Sequence, residues 1–282
     1  MRILDVCVKG LVYGARLSSV TCTASTRQPE APLPVEVAYC TDVEGNLDYF
    51  HRWLETAGRI VRYDSSGSLE LAHEGAHFVY GGDVVDNGPG DIRLCRLLVG
   101  LKQRYPSRVA LLVGNRDLNK LRFTAELHQT DMERPIDEIP PPHWDRKAPT
   151  LRQHLERVAA ERALPGGAAA ANTRVERLKY MLQHTLGCPR TFETRREELR
   201  LLRGVRKEQV SDEEVTDSFV AEVAPGAGGA LRSYLEHASL AALLGNTLFV
   251  HGAVDARSLG LVPADDTRFA LPPPYAEAEQ LE

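Results

Sequence analysis

The chain has 282 residues, of which 43% are hydrophobic and 26% are charged, as expected for a globular protein with one large domain or one domain carrying an insert. A net charge of -5 argues against general nucleic-acid binding, which usually requires a basic face, but leaves nucleotide and phosphoprotein substrates open. No apolar run reaches the roughly 18 residues of a membrane span, and the scattered cysteines indicate a reducing compartment, so we expect a cytoplasmic protein without membrane contact.

Residues 1–34 carry few signals of regular structure and are predicted to form an N-terminal arm, disordered or locally packed, that ends in a Pro-rich stretch. Its basic residues, serines and threonines would also suit an organellar transit peptide, although Asp5 and Glu30 argue against that alternative. Both alternatives place the start of the folded core after residue 34.

The next part of the chain, residues 35–123, alternates short apolar runs with amphipathic segments. Buried strands are predicted at residues 35–40, 77–80 and 109–113. Helices are predicted at residues 47–57 and after Pro89, where an acidic first turn suits the helix dipole. Strands that alternate with helices predict a mostly parallel α/β sheet.

Residues 124–240 have a different pattern, with charged helical segments and a Pro-rich loop. Two helices are predicted at residues 150–164 and 173–187. A strand signal returns at residues 247–250. We therefore interpret residues 124–240 as a helical insert, and residues 241–282 as the last part of the core followed by a C-terminal tail.

Two further helices in the insert are predicted from capping-box spacings. Thr194 is followed three residues later by Glu197, and Ser211 by Glu214. The basic pair that begins at Arg195 is balanced by two neighbouring glutamates, which predicts a solvated helix face.

Four polar segments each follow an apolar run: Asp-Val-Glu-Gly-Asn at 42–46, Gly-Asp-Val-Val-Asp-Asn-Gly at 82–88, Gly-Asn-Arg-Asp at 114–117 and His-Gly at 251–252. Open α/β folds present ligands at strand ends in this way. Carboxylates and an amide beside an imidazole suit Mn²⁺, Fe or Zn²⁺ better than copper. A two-metal site needs a ligand shared between ions about 3.5–4 Å apart, and a carboxylate in the glycine-flanked loop at 82–88 can bridge in this way.

Each segment taken alone has a structural explanation. Asp83 could simply cap a glycine turn, Asp117 could cap the helix after a strand, and His251 could pack in a core. The four segments together, in this order and each after an apolar run, favour a functional site.

In this order the motifs resemble the calcineurin-like metallophosphoesterase superfamily, in its phosphoprotein phosphatase and diadenosine tetraphosphatase branch. The family pattern is Asp-x-His-Gly, Gly-Asp-x-x-Asp, Gly-Asn-His-Asp/Glu, a lone His and Gly-His-x-His, and the resemblance covers roughly residues 35–123 and 243–255. It implies an α/β fold in which a β-sandwich is flanked by helices, and two divalent metal ions, Mn²⁺ or else Fe or Zn²⁺. It also implies that Asp42 binds the first ion, that Asp83 bridges, and that Asn115 and His251 bind the second.

The chain departs from that pattern at several positions. Glu44 stands where the family has a metal-binding His, and glutamate can also bind a metal. Asn87 replaces an arginine that some members use on the phosphate. Arg116 replaces a His, and arginine can clamp a phosphate but cannot donate a proton near neutral pH. No histidine follows His251, so the Gly-His-x-His motif is absent, through truncation or through weakening of the site; we favour truncation.

The resemblance leads to a hypothesis of metal-dependent hydrolysis of a phosphomonoester or phosphodiester by a metal-activated water, with a phosphorylated small molecule, nucleotide or phosphoprotein as substrate. Its metal ligands are the five candidates Asp42, Glu44, Asp83, Asn115 and His251. Arg116 would clamp the phosphate, and Asp86 and Asp117 would orient the groups around it. The alternative hypothesis is a catalytically weakened or truncated relative that acts as a binding or scaffold protein, with the helical insert as its surface for a protein partner.

Overall fold

The computed structural model describes residues 36–254 except for 143, 144 and 146. The predicted N-terminal arm, the first residue of the first predicted strand and the predicted C-terminal tail beyond residue 254 therefore lie outside the described residues. Within residues 36–254, no helix combines the length and the apolar character that a bilayer crossing requires.

The described residues form three small sheets. Their strands are β1 Glu36–Cys40, β2 Val61–Tyr63, β3 Leu69–Leu71, β4 Ala76–Tyr80, β5 Val109–Leu111, β6 Ala241–Leu244 and β7 Thr247–Val250. The central sheet is parallel, in the order β1-β4-β5, while β2 with β3 and β6 with β7 form antiparallel pairs. Mixed α/β structure with a parallel sheet is thus confirmed, and the predicted two-sheet sandwich stays a prediction.

The register of the parallel sheet aligns the ends of its three strands. Cys40 lies opposite Tyr80, and Tyr80 lies opposite Leu111. The segments that leave β1, β4 and β5 therefore begin at the same edge of the sheet, which is where parallel α/β folds assemble their sites.

Eleven α-helices occur in the described residues: α1 Leu47–Ala57, α2 Asp91–Arg104, α3 Asn115–Asn119, α4 Phe123–Glu126, α5 Gln129–Met132, α6 Leu151–Glu161, α7 Gly167–Ala171, α8 Arg174–Tyr180, α9 Thr191–Arg203, α10 Asp212–Val223 and α11 Ala230–His237. Helix α8 continues into a π-helical turn over Met181–Thr185. The region predicted as a helical insert is therefore helical, and whether it is an insert stays a prediction.

One core joins the parallel sheet to the helices that pack on it. Phe50 of α1, Phe78 and Tyr80 of β4, and Leu94 and Leu98 of α2 are completely buried. A second, smaller core lies among α6, α7 and α8. These apolar contacts hold the edge of the sheet rigidly enough to position polar groups.

The helix boundaries show where local sequence determines structure and where it does not. Ser211 caps α10 through the predicted capping box, since its hydroxyl accepts the Glu214 N–H while the Glu214 carboxylate accepts the Ser211 N–H. The prediction of a cap at Thr194 was wrong, because α9 begins at Thr191 and the Thr194 hydroxyl donates to the Thr191 carbonyl.

Glu176 on α8 is buried, and its environment makes stability depend on pH. Its carboxylate accepts a 2.6 Å hydrogen bond from Arg162 and lies 3.7 Å from Nε2 of His154. Burial alone would raise the pKa of Glu176, but the neighbouring His154, Arg162 and Lys179 outweigh burial and hold the pKa at about 2, below the ordinary 4.5. Its stabilising contribution is therefore complete above pH 4.5 and is lost as the pH falls towards 2.

We expect Glu176→Gln to lower the free energy of unfolding at pH 7 by about 2 kcal/mol, the order of a hydrogen bond to a charged group. The deficit should shrink between pH 4.5 and pH 3, because the wild type loses the same contribution by protonation. Urea unfolding at several pH values measures the deficit and its dependence on pH. The control is Glu161→Gln, because Glu161 is an exposed carboxylate that pairs with Arg157. A deficit that stays constant down to pH 3 would contradict this account.

Candidate metal centre

Three predicted ligands come together at the aligned edge of the parallel sheet. Asp42 follows β1, Asp83 follows β4, and His251 follows β7. Each offers one ligand atom, and these atoms all lie within 4.8 Å of one another. Ser239 attaches the β6–β7 pair to this edge. Its N–H donates a hydrogen bond to the Leu111 carbonyl, and its carbonyl accepts one from the Val113 N–H.

The imidazole of His251 is oriented by the backbone. Its Nδ1 donates a 2.8 Å hydrogen bond to the carbonyl of Gly81, which leaves the Nε2 lone pair directed elsewhere. Nε2 lies 3.2 Å from Oδ1 of Asn115 and 3.4 Å from Oδ1 of Asp83. Three polar atoms thus converge, and a cation bound between them would contact all three.

This set of donor atoms fits a divalent cation. It contains carboxylate oxygens from Asp42 and Asp83, the amide oxygen of Asn115 and the imidazole nitrogen of His251. Such mixed oxygen and nitrogen ligands suit Mn²⁺, Zn²⁺ or Fe. A backbone hydrogen bond that fixes the other ring nitrogen is the usual support of a metal-binding imidazole.

The loops around these ligands hold four non-glycine residues at positive φ. Asp42, Glu44 and Asp83 have φ values of 52°, 51° and 54°, and Asp86 has 129°. Such conformations are uncommon for residues with a side chain and cluster at functional sites. The Asp42 N–H donates a hydrogen bond to the Gly82 carbonyl, and the Glu44 N–H donates one to the Asp83 carbonyl. These two bonds hold the loops together.

Two glycines permit this close approach of the loops. A Cβ at Gly114 would lie 2.1 Å from Oδ1 of Asp83, and one at Gly82 would lie 2.8 Å from Nδ1 of His251. Gly82 also has a φ of +98°, which side chains rarely tolerate. Any larger residue at either position would displace a predicted ligand.

Asp117 fastens the loop after β4 to the loop after β5. It is completely buried, and its two oxygens accept backbone N–H bonds from Val84 at 2.8 Å, Gly114 at 2.8 Å and Asp83 at 3.0 Å. Burial raises the pKa of Asp117 to about 7, against the opposing effect of these N–H donors. This placement is compatible with the predicted orienting role.

Arg116 lies among the acidic side chains instead of projecting freely from the site. Its Nε is 3.0 Å from Oε1 of Glu44 and 3.5 Å from Oδ2 of Asp83, and its Nη1 is 3.2 Å from Oδ2 of Asp86. The predicted ligand Glu44 is therefore paired with Arg116. Burial raises the pKa of Glu44, an effect that Arg116 opposes.

Asp86 is completely buried and pairs with a buried lysine. Lys120, itself 2% exposed, places its Nζ 2.8 Å from the Asp86 carboxylate. The hydroxyl of Thr191 donates to the Asp86 carbonyl, and the Asp86 N–H donates to Asp91 at 3.1 Å. Asp86 thus supports the loop from within the protein.

Helix α9 contacts the first turn of α2, next to the site, through buried charged side chains that sequence analysis did not identify. Arg195 is buried and pairs with Asp91 at 3.2 Å, so the prediction that it lies on a solvated face was wrong. Glu198 accepts two N–H groups from the first turn of α2, those of Ile92 and Arg93, at 3.1 Å. A buried acid at the start of a helix also interacts favourably with its dipole.

No local sequence signal identifies these supports. Arg195 occurs in a charged segment whose pattern is that of an ordinary solvated helix, and the segment of Lys120 fits a solvated helix face and a position facing a phosphate equally well. Their partners are 34 and 104 residues away in the chain. Only the fold shows that these charges are paired and buried: α9 brings Arg195 to Asp91 of α2, and Lys120 reaches Asp86 in the loop after β4.

Comparison with known proteins agrees with this geometry. A family model described as calcineurin-like phosphoesterase matches residues 35–203. Over 90 residues, 32% of this chain, the sequence is 30% identical to the serine/threonine-protein phosphatase SIT4 of Candida albicans and 27% identical to the catalytic subunit of serine/threonine-protein phosphatase 6 of Drosophila melanogaster. The matched part is 26% and 25% of those relatives, about a quarter of their length. No solved structure gives a significant match.

Proposed function

The chain belongs to the calcineurin-like phosphoesterase family, and from this premise we propose that it is a metal-dependent hydrolase of phosphomonoesters or phosphodiesters. The convergence of Asp42, Asp83 and His251 at the edge of the sheet is the observation that carries the proposal. Because the chain matches only a quarter of the two phosphatases, the choice between a phosphoprotein and a nucleotide or other small substrate is part of the proposal.

The described side chains suggest a division of labour. Asp42, Asp83, Asn115 and His251 would hold a divalent cation, Mn²⁺ in the first instance and otherwise Fe or Zn²⁺. Such an ion lowers the pKa of a bound water and draws negative charge from a phosphate. The resemblance implies two ions. Glu44 could bind one of them only after its ion pair with Arg116 is broken.

The phosphate would lie beside Arg116, whose side chain is 27% exposed and so reaches solvent. A guanidinium binds phosphate oxygens through paired N–H groups but keeps its proton. Asp86 would hold this guanidinium at 3.2 Å, while Asp117 would keep the loops after β4 and β5 in register. Protonation of a leaving group would then fall to solvent or to the substrate.

The test is hydrolysis of p-nitrophenyl phosphate and of its bis-ester by the full chain, with Mn²⁺ and with a chelator. We expect metal-dependent turnover, and we expect His251→Ala to lower it by at least about tenfold, because the variant loses one of the converging ligands. His73→Ala, at an exposed histidine that pairs with Glu36, is the matched control and should leave turnover unchanged. Metal-independent turnover, or equal turnover in both variants, would contradict the assignment.

The second candidate function is a non-catalytic binding protein. It is favoured by the ion pair between Arg116 and Glu44, which removes a candidate ligand from the site. The helices of residues 124–240 would then bind a protein partner, for which Leu201 and Leu202 on α9 offer exposed apolar surface. Robust turnover with Mn²⁺ on either ester would refute this candidate.

A further inference from the structure

Two departures from the family pattern are in direct contact with each other. Glu44 and Arg116 each stand where the resemblance places a histidine, and Oε1 of Glu44 is 3.0 Å from Nε of Arg116. Two neutral imidazoles are thereby replaced by a negative and a positive side chain that neutralise each other. A coupled exchange of this kind changes what the site can bind.

We propose that the guanidinium of Arg116 occupies the place of one of the two expected metal ions, so that this site binds a single divalent cation. The inference rests on the proposed function and specifies its cofactor. The fixed cation is provided by the chain itself, and the bound ion is held by Asp42, Asp83, Asn115 and His251.

The two oxygens of Asp83 face different cationic positions. Oδ1 lies 3.4 Å from Nε2 of His251, on the side where the ligand atoms converge, and it also accepts the backbone N–H of Arg116 at 2.9 Å. Oδ2 lies 3.5 Å from Nε of Arg116. A carboxylate can bridge two cations by directing one oxygen to each, and here the guanidinium lies on the side of Oδ2.

The guanidinium is held too firmly to leave the site easily. It contacts the carboxylates of Glu44, Asp83 and Asp86, whose side chains are 16%, 5% and 0% exposed. Arginine remains charged at every physiological pH, so a second divalent ion bound by Glu44 at the position of the guanidinium would be repelled within a few ångströms. One cation at this position excludes the other.

The charges of the site are balanced by one divalent ion. The carboxylates of Asp42, Glu44, Asp83 and Asp86 face two cationic side chains, Arg116 and Lys120, which leaves two negative charges. The count covers only the carboxylates at the candidate ion position and those that pair with these two cations; Asp117 forms no ion pair with a described residue, and its oxygens accept three backbone N–H groups.

The experiment measures metal content by elemental analysis of the full chain after Mn²⁺ loading and desalting. We expect about one equivalent in the wild type and about two in Arg116→Ala, in which three carboxylates lose their shared cation. Arg116→Lys should keep about one equivalent, because it retains the charge. Arg122→Ala, which removes an arginine paired with Glu126, is the matched control and should also bind about one.

Glu44→Gln gives an independent test that does not rely on the folding of Arg116→Ala. If Arg116 is the partner of Glu44, this variant should retain the full metal content of the wild type, and combining it with Arg116→Ala should remove the second equivalent. The melting temperature of each variant with and without Mn²⁺ shows whether it is folded and whether the ion stabilises it.

The outcomes separate this inference from the proposed function. Two equivalents in the wild type, loss of metal in Glu44→Gln, or a single equivalent in folded Arg116→Ala would overturn the inference and leave a metal-dependent hydrolase in place. No metal above background in the wild type would overturn both.

Discussion

Asp83→Ala is expected to abolish specific Mn²⁺ binding and to lower phosphoester hydrolysis by roughly a thousandfold, equivalent to about 4 kcal/mol of transition-state stabilisation. The residue combines several roles in the structure. Its Oδ1 lies 3.4 Å from Nε2 of His251, its Oδ2 lies 3.5 Å from Arg116, and its carboxylate also accepts the Arg116 N–H. No neighbouring side chain can replace all three contacts.

Metal content and turnover of purified Asp83→Ala would be compared with those of the wild type at equal Mn²⁺. Asp217→Ala is a suitable control, because Asp217 is 66% exposed and pairs with Arg174 at 2.8 Å on the surface, away from the sheet edge. Asp83→Asn keeps an acceptor for the Arg116 N–H and separates loss of the charge from loss of the loop structure. Undiminished turnover in Asp83→Ala would rule out the proposed site.

Lys120→Met is expected to lower the free energy of unfolding by about 3 kcal/mol, since it leaves the buried carboxylate of Asp86 without its principal partner. Nζ of Lys120 is 2.8 Å from that carboxylate, and both side chains are almost completely buried. Arg116 remains 3.2 Å from Asp86 and limits the loss. Methionine has nearly the shape of the lysine stem, so the change measures charge more than packing.

Urea unfolding midpoints would test this expectation, with Lys207→Met as the control. Lys207 pairs with Glu193 at 2.9 Å, but both side chains are about half exposed, so the control should lose at most about 1 kcal/mol. Combining Lys120→Met with Asp86→Leu should restore part of the stability, because no buried charge is then left alone. Equal losses in Lys120→Met and Lys207→Met would show that the buried pair contributes nothing specific.

Sequence alone predicted the strands after which the candidate ligands lie, for a physical reason. The apolar runs that end before Asp42, Asp83 and Asn115 are local signals, and parallel pairing then brings their ends to one edge. The strand at β7 was also predicted, although its antiparallel partner β6 was not. Strand pairing between exposed, short segments leaves little trace in a local pattern.

Other parts of the site could not be predicted, because they depend on contacts across the fold. The hydroxyl of Thr191 donates to the carbonyl of Asp86, and α9 begins at that residue instead of at the predicted cap Thr194. The reach of Arg116 to Glu44 likewise depends on how the two loops face each other. Sequence identified an arginine that could bind a phosphate, but it could not show which carboxylates that arginine already neutralises.

Asp42, Glu44, Asp83 and Asp86 have positive φ angles, which lower the stability of the fold. The same four residues carry the carboxylates of the candidate site. Such backbone conformations each cost on the order of 1 kcal/mol for a residue with a side chain, and glycine would relieve that cost. A directed-evolution campaign scored only on heat resistance would therefore enrich glycine at Asp42, because the carboxylates of Glu44, Asp83 and Asp86 each pair with Arg116 or Lys120 and their loss would destabilise the protein. Such variants would outlast the parent on heating but would have lost a candidate metal ligand.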